Sequence, residues 1–435
     1  MKPFAVLPLL ILALTRIAEA TPPASLPAVF TCGSAMHHAV TLSATTTYGS
    51  GAAFGFDEGT APSSFAGGAC SGSKAFFFSL AEPDGNYRVT LVLGGPAAST
   101  NTVRAESRRL FVDELAVPAG GSKTVVFNVN VRTKVILPAP TDGAAEVKLK
   151  PREIGAADWD EKLTLEFNGE NPSVRSISIQ PIANVPTVYI AGDSTVVDQD
   201  KEPWAAWGQM LPVFFGPGIS IANEAESGET IRSFVGERRY AKVMSTIKRG
   251  DFLMIQFGHN DQKAGDTLKT DFRGSLKQFI ADARAHGATP ILVTPMNRRN
   301  FDADGHIVQT LADYPDAFRE VAASEKVALI DLNALSKTLF EALGDAGTLH
   351  AFVHYPANTF PDQPAEMKDN THFNSYGAYE LARAVVESMR AQHLSLAKYL
   401  KPGIPAFDPA HPLPFAEFKL PPSPSFSAET PYEKK

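Results

Sequence analysis

The chain changes character near residue 185, and this change constrains its fold more than any other feature of the sequence. Before that point, short runs such as 87–93 and 124–131 alternate apolar with polar side chains, and turn sequences rich in Gly, Pro, Asp and Asn separate them. After it, short apolar runs alternate with helical segments, a pattern typical of βαβ units around a parallel sheet. Because the 435 residues exceed what one hydrophobic core usually holds, we predict two domains.

The first domain is predicted to be an all-β antiparallel sandwich over residues 21–183. Its β-type runs fall at 75–80, 87–93, 124–131, 163–167 and 174–179. Runs of this length, separated by turn signals, are expected to pair as hairpins and to bury one face of each sheet.

The second domain, over residues 184–400, is predicted to be a three-layer, flavodoxin-like α/β domain with a five-stranded parallel sheet. Its strand candidates are Thr187–Ala191, Ile219–Ala222, Phe252–Phe257, Ile291–Thr294 and Ala328–Asp331. One crossover helix is marked by an apolar stripe from Phe272 to Ala283 and ends near Gly287. Residues 401–435 contain 9 of the 33 prolines, so we expect a surface tail there and no third domain.

Residues 1–20 resemble a secretory signal, with Lys2 ahead of an apolar run at 4–14 and small residues, Ala18 and Ala20, at a cleavage site. A membrane anchor is the alternative, but the run is about half the roughly 20 residues that span a bilayer. We therefore expect a secreted or periplasmic protein with no stable membrane insertion after signal removal. Export would permit a disulfide between Cys32 and Cys70, although two buried free thiols are also possible.

The charge balance argues against nucleic acid as a partner. The chain has 40 Lys and Arg against 47 Asp and Glu, a formal net charge of −7. Nucleic-acid binding normally needs a surplus of cations to neutralise phosphates, and this sequence has none.

Chemically useful residues follow three of the predicted parallel strands, at the sheet edge where α/β proteins form their crevice. Strand one leads into Gly-Asp-Ser at 192–194, strand two into Ser227-Gly228, and strand three into Gly-His-Asn-Asp at 258–261. Alone, each has an ordinary structural explanation: a turn or helix cap, a loop glycine, and an Asx-turn. Together they place a hydroxyl, a backbone N–H and a side-chain amide at one edge.

A fourth motif, Asp369-x-x-His372, precedes the last predicted helix. A carboxylate three residues before a histidine, in one turn, can accept from one ring nitrogen and leave the other facing a nucleophile. The alternative is a pair of metal ligands, for which His350 and His354 are the best additional candidates. No dense ligand cluster accompanies the pair, so we predict no metal.

The order of these motifs resembles that of the SGNH (GDSL-type) hydrolase superfamily. The residues within and around each motif are similar to those of rhamnogalacturonan acetylesterases of carbohydrate esterase family 12. The matching segments are 191–196, 227–228 with 232–234, 256–261 and 369–374, and the resemblance covers about 185–395. The preceding region is similar, more vaguely, to the galactose-binding-like sandwich of some bacterial members.

The resemblance implies a Ser-His-Asp acyl-enzyme mechanism without a cofactor. Ser194 would be the nucleophile, His372 the general base and Asp369 its orienting partner. The N–H groups of Ser194 and Gly228, with the amide of Asn260, would form the oxyanion hole. The family prefers small residues around its loop glycine, whereas Glu226 and Glu229 flank Ser227-Gly228 here, which leaves the fine substrate preference open.

The implied substrate is an acetylated acidic plant cell-wall polysaccharide, pectic rhamnogalacturonan. An acidic protein needs local positive charge to bind it, and Arg298, Arg299 and Lys263 follow strands four and three; an ordinary solvated loop is the alternative. Trp204 and Trp207 could stack on sugar rings or belong to the core. Two other functions remain open: an esterase for another acetylated glycan or for lipid or aryl esters, and a non-catalytic glycan-binding protein.

Overall fold

A computed structural model describes residues 28–431 except 34–37, 50, 139, 141–142, 144 and 265–266, with no side-chain detail at 264 and 267–270. The predicted signal at 1–20 lies outside these residues. Among the helices that are described, none is both long and apolar enough to cross a membrane.

The N-terminal region consists of two packed β-sheets. Its strands are β1 Ala28–Cys32, β2 Val40–Leu42, β3 Phe54–Asp57, β4 Cys70–Ser71, β5 Phe76–Ala81, β6 Gly85–Leu93, β7 Ser99–Ala105, β8 Arg109–Val117, β9 Lys123–Val131, β10 Lys162–Asn168 and β11 Ser173–Pro181. One sheet has the order β2-β1-β11-β6-β9, with β4 beside β11, and the other has the order β3-β5-β10-β7-β8. All pairs are antiparallel except β1 with β2. A disulfide joins Cys32 to Cys70, with 5.2 Å between their Cα atoms.

Strand alternation explains the core of the sandwich. Along β6, Tyr87, Val89, Leu91 and Leu93 are buried, whereas the residues between them are partly exposed. Strands β7 and β8 were not among the predicted β-type runs, because they carry Arg104 and the 0%-exposed Arg109 among their apolar residues. Arg104 pairs with Glu166 on β10 and also contacts the C-terminal tail, and Arg109 contacts the α/β region, so local alternation does not reveal the strands.

The second region has the predicted three-layer α/β architecture. Its sheet contains β12 Thr187–Ala191, β13 Ser220–Asn223, β14 Phe252–Ile255, β15 Thr289–Val293 and β16 Ala328–Ile330. All neighbours are parallel, in the order β13-β12-β14-β15-β16, which is the flavodoxin-like order 2-1-3-4-5. The helices are α1 Trp207–Met210, α2 Ile231–Gly236, α3 Arg239–Thr246, α4 Thr267–Ala285, α5 Tyr314–Glu325, α6 Leu332–Thr348 and α7 Ser375–Ala391.

The two faces of the parallel sheet bury alternate residues of each strand, as strand geometry requires. In β12, Val188 and Ile190 pack in the cluster that contains α1, α6 and α7. Tyr189 and Ala191 pack in the other cluster, with α2 to α5. Helices on both faces confirm the predicted fold class.

A separate hairpin corrects one expectation. Asp369 and His372 lie not in a turn but on strand β18, Met367–Phe373, which pairs with β17, Phe352–Tyr355. Phe373 pairs with Phe352 while Asp369 pairs with the next residue, Val353, so residues 370–372 form a bulge. Bulges re-aim side chains, and this one brings His372 back toward the carboxylate of Asp369.

The proline-rich tail runs over both regions in an extended course. Leu413 accepts a 2.5 Å hydrogen bond from Tyr376 on α7. Farther along, Ser423 donates to Glu166 of the sandwich at 2.6 Å, and the Ser425 carbonyl accepts from Glu202 N at 2.8 Å. The tail therefore connects the sandwich with the loop after β12.

Candidate active site

The loop after β12 places Ser194 at the floor of a cleft. Gly192 is required there, because a Cβ atom would lie 2.7 Å from Val196 Cγ2 and 3.0 Å from the Gln256 carbonyl. Asp193 is fully buried and holds the turn by accepting hydrogen bonds from Thr195 N at 3.0 Å and Thr195 Oγ1 at 2.7 Å. The next residue, Ser194, is 3% exposed and lines the cleft.

Ser194 and His372, 178 positions apart, form with Asp369 one continuous hydrogen-bonded line. His372 Nε2 lies 2.9 Å from Ser194 Oγ, and His372 Nδ1 lies 2.8 Å from Asp369 Oδ2. When Nδ1 donates its proton to the carboxylate, Nε2 is the nitrogen that accepts from the serine hydroxyl. This arrangement can remove the serine proton as the oxygen attacks an ester.

The bulge on β18 also determines the charge of Asp369. Its Oδ1 accepts backbone hydrogen bonds from Thr371 N at 2.7 Å and His372 N at 2.8 Å. Burial would raise the pKa of Asp369, but the hydrogen bonds and the charge interaction with His372 outweigh it and hold that pKa below its ordinary value. The carboxylate therefore remains ionised over the neutral range.

Three N–H groups named as oxyanion donors differ in their contacts. The backbone N–H groups of Ser194 and Gly228 make no hydrogen bond within the described part of the chain. Gly228 adopts φ +82°, a conformation that other residues rarely adopt. Asn260 lines the cleft, and its Nδ2 donates to the Glu229 carbonyl at 3.0 Å. An amide nitrogen has two protons, so one remains for a ligand.

The cleft, about 410 Å³ in volume, is lined by three cations, Lys263, Arg298 and Lys368, beside the anionic Asp369. Arg298 Nη2 donates to the His259 carbonyl at 3.1 Å, and its Nη1 donates to Thr310 Oγ1 at 3.3 Å. Burial lowers the pKa of Arg298 from its ordinary value.

The predicted basic pair is split by the fold. Arg299 does not line the cleft; its Nη2 pairs with Asp345 Oδ1 at 2.6 Å and donates to the Asp345 carbonyl at 3.0 Å. Of the three predicted substrate-binding cations, Arg298 and Lys263 line the cleft and Arg299 does not.

Sequence reasoning gave no role to two buried residues of the 258–261 segment, of which His259 borders the cleft. His259 is 1% exposed, with Nε2 3.1 Å from the Met296 carbonyl and Nδ1 3.5 Å from Asp193 Oδ2. Asp261 accepts from Ile231 N at 2.9 Å and from Gly258 N at 3.0 Å, which ties two loops of the site together. Burial raises the pKa of Asp261 to about 7. The Gly-His-Asn-Asp motif that contains them was the sequence signal from which their proximity to the site could have been predicted.

Neither tryptophan of the segment after Ser194 faces the cleft. Trp207 is fully buried and donates to Gln256 Oε1 at 2.9 Å. Trp204 is 4% exposed and packs edge-on against the His372 ring, 5.8 Å between centroids. These contacts favour the core interpretation, with Trp204 also supporting the histidine.

The residues considered as additional metal ligands have other contacts. His354 Nε2 lies 2.8 Å from Asn370 Oδ1, and the His350 ring stacks on Phe415. Across the described residues, no group of three or more His, Cys, Asp or Glu side chains is arranged to hold a metal ion.

The two glutamates that flank Ser227-Gly228 do not line the cleft. Glu226 pairs with Arg152 at 2.5 Å, and Glu229 pairs with Lys150 at 2.6 Å. Both cations come from the connection between β9 and β10, within the sandwich region.

Part of the chain matches a known protein family and named relatives. Residues 190–379 match the GDSL-like lipase/acylhydrolase family. The rhamnogalacturonan acetylesterase RhgT of Bacillus subtilis is 41% identical over 216 residues, which are 49% of this chain and 93% of that protein. The uncharacterized esterase YxiM of the same organism is 28% identical over 324 residues, 73% of this chain and 75% of that protein. The crystal structure of YxiM covers 85% of this chain and 99% of that one, with 26% identity and a TM-score of 0.46.

Proposed function

Since this chain belongs to the GDSL-like lipase/acylhydrolase family and is a carboxylic ester hydrolase, we propose that it removes acetyl groups from pectic rhamnogalacturonan with Ser194 as nucleophile. The observation that carries the proposal is the line from Asp369 through His372 to Ser194, with contacts of 2.8 and 2.9 Å. The acetylated polysaccharide is supported by the relatives' names, rhamnogalacturonan acetylesterase at 41% and at 26% identity, the second from Emericella nidulans.

The proposed reaction has two halves. Ser194 Oγ attacks the acetyl carbonyl carbon while its proton passes to His372 Nε2. The tetrahedral intermediate collapses, the sugar oxygen leaves with that proton, and acetyl-serine remains. Water then attacks the acetyl group, giving its proton to His372, and acetate departs as Ser194 Oγ regains a proton. Asp369 stays ionised and stabilises the imidazolium in both halves.

The negative charge of each tetrahedral intermediate would be stabilised by the N–H groups of Ser194 and Gly228 and by Asn260 Nδ2. One such donor is typically worth about 10²- to 10³-fold in rate. None of these steps uses a metal or another cofactor, so we expect full activity after treatment with a chelator.

The cations of the cleft support an acidic substrate. Lys263 and Arg298 line the same cleft as Ser194, in a protein whose formal net charge is −7. Galacturonate carboxylates would meet local positive charge there in spite of the acidic surface. Neutral acetylated glycans would lack this interaction.

The decisive experiment measures acetate release from acetylated rhamnogalacturonan, acetylated xylan and a small aryl acetate. We expect the highest kcat/KM on rhamnogalacturonan and loss of nearly all turnover in Ser194→Ala. Ser275→Ala, which removes an α4 hydroxyl away from the cleft, is the matched control. A serine-directed phosphonate should add one adduct per wild-type chain and none to Ser194→Ala. A wild-type protein that binds the glycan but releases no acetate would instead identify a non-catalytic binding protein.

We also propose that the protein is exported. The sequence of residues 1–20 and the disulfide between Cys32 and Cys70 support this, because disulfides persist in oxidising compartments. Mass spectrometry of the protein from a secreting host should find a chain that begins at Thr21. A full-length chain retained inside the cell would refute export.

A further inference from the structure

We propose that Lys150 and Arg152, which precede the α/β domain in the chain, are positioning residues that aim the Gly228 N–H at the developing oxyanion. The inference rests on the proposed function, since it presumes that Gly228 is an oxyanion donor. It assigns the β9–β10 connection of the sandwich region a part in catalysis.

Both cations bind one carbonyl oxygen. Ser227 O accepts from Lys150 Nζ at 2.7 Å and also from Arg152 Nη2. The Ser227 carbonyl and the Gly228 N–H belong to the same peptide unit, which is planar and trans, so they point in opposite directions. Cations that fix the carbonyl therefore fix the direction of the N–H, and that N–H has no acceptor within the described residues.

The contact is close and shielded from water. The Lys150 side chain is 9% exposed, and a Cβ atom on Gly228 would lie 3.6 Å from its Nζ. In such a low-dielectric setting, two positive charges on the oxygen polarise the peptide unit and make its N–H a stronger donor. The orientation and the donor strength both favour charge that forms in the transition state over the neutral ester.

Two glutamates beside Ser227 and Gly228 provide the negative charge that lets two cations lie at the Ser227 carbonyl. Glu229 Oε1 lies 2.6 Å from Lys150 Nζ, and Glu226 Oε1 accepts from Arg152 Nε at 2.8 Å. A buried cation needs such a partner. Glu226 and Glu229 thus hold the cations on each side of the Ser227 carbonyl.

The position of Lys150 is itself fixed by its own backbone. Lys150 N donates to Glu153 Oε2 at 2.8 Å, and Glu153 Oε1 accepts from Trp159 Nε1 at 2.8 Å. Arg239 of α3 pairs with the same glutamate at 2.5 Å. The segment is therefore anchored to the α/β domain independently of the Ser227 contact.

The test compares Lys150→Met, Arg152→Met and the double variant with Lys242→Met as matched control. Lys242 is also a buried cation at the domain boundary, but it binds Asp84 and the Val135 carbonyl rather than the oxyanion loop. The Arg152 side chain is 31% exposed, so Arg152→Met should fold even if Lys150→Met does not. Lys150→Arg and Arg152→Lys keep the charges and should recover most of the activity.

Two readouts separate positioning from mere stability. On a small aryl acetate, kcat should fall about 3- to 10-fold for Arg152→Met and about 10- to 100-fold for the double variant, while KM stays within about twofold of the wild-type value. These losses are smaller than the fall in rate expected when an oxyanion donor is removed altogether. The affinity for a boronic acid, which forms a tetrahedral adduct with serine, should fall by a similar factor. Lys242→Met should change neither quantity.

Three results would overturn the inference: wild-type kcat in folded Arg152→Met and in the double variant, an equal fall in Lys242→Met, or a fall in kcat with unchanged boronic acid affinity. If wild type is active and Ser194→Ala is not, such a result removes the positioning role and leaves the proposed function intact. If wild type has no esterase activity, or Ser194→Ala keeps it, the proposed function fails and this inference fails with it.

Discussion

The two neighbouring arginines, Arg298 and Arg299, offer a matched pair for testing how the enzyme binds an acidic polysaccharide. Both carry the same charge and are adjacent in sequence, but only Arg298 lines the cleft, whereas Arg299 is paired with Asp345 at 2.6 Å. Arg298→Ala should therefore weaken catalysis on acetylated rhamnogalacturonan, and Arg299→Ala should not.

The size of the effect follows from the exposure of Arg298. A carboxylate about 4 Å from a guanidinium gains about 1 to 2 kcal/mol at an effective dielectric constant of about 40 to 80. Exposed pairs retain about 0.2 to 1 kcal/mol of such energy. Because Arg298 is only partly exposed, we expect about 0.5 to 1.5 kcal/mol, which is about a 2- to 12-fold loss in kcat/KM.

Arg298 also supports the loop that carries His259, through the 3.1 Å hydrogen bond to that carbonyl, so its removal can lower activity on every substrate. The informative quantity is therefore a ratio: kcat/KM on the acidic polysaccharide divided by kcat/KM on a neutral aryl acetate. The ratio should fall in Arg298→Ala and stay constant in Arg299→Ala. Raising the ionic strength should lower the ratio of wild type toward that of Arg298→Ala.

An unchanged ratio in Arg298→Ala would show that the cleft arginine does not meet substrate carboxylates. An equal fall of the ratio in both variants would show that general surface charge, not a contact in the cleft, determines the preference.

Three further predictions follow from the contacts described. Asp369→Asn should lower kcat by about 10⁴-fold and keep the fold, because the amide favours the His372 tautomer that cannot accept from serine. Steady-state kinetics will measure kcat, circular dichroism will check the fold, and a loss under tenfold would contradict the prediction. The pKa of Asp261 is raised to about 7 in the folded protein, so its protonated carboxyl stabilises the fold fully below the pKa of the unfolded chain. That stabilisation is lost as the pH rises toward 7. The free energy of unfolding of wild type relative to Asp261→Asn should therefore decline between about pH 4 and 7 in urea titrations, and a constant difference would refute the argument. Replacing Cys32 and Cys70, 38 positions apart, with alanine should lower the free energy of unfolding by about 3 to 4 kcal/mol, because the disulfide restricts the unfolded chain. The substitution should leave kcat unchanged, and a stability loss below about 1 kcal/mol would contradict this explanation.

Local sequence patterns were sufficient for the fold class of the second domain. The predicted strand at Thr187–Ala191 has the same bounds in the structure, and the other four differ by one to two residues at most at each end. Continuous apolar runs between helical stripes mark buried parallel strands because both faces of such a sheet are covered. The family also followed from sequence, because its motifs are short segments that keep their order along the chain.

Contacts between distant segments were beyond those patterns. Strands β7 and β8 escaped prediction because Arg104 and Arg109 are buried by residues from elsewhere in the chain. The bulge that places His372 against Asp369 depends on pairing with β17, and the sequence indicated only a turn.

The sequence by itself determined which chemical groups the protein carries and the order in which the chain presents them. The tertiary structure decided which of those groups meet: it brought Arg298 to the cleft and paired Arg299 elsewhere, and it set Lys150 and Arg152 on the Ser227 carbonyl, 77 and 75 positions away. The physical reason is the separation along the chain of the residues that interact. Strand and helix preferences arise between residues a few positions apart, whereas the direction of a charge or an N–H is fixed by partners that only the folded chain brings near.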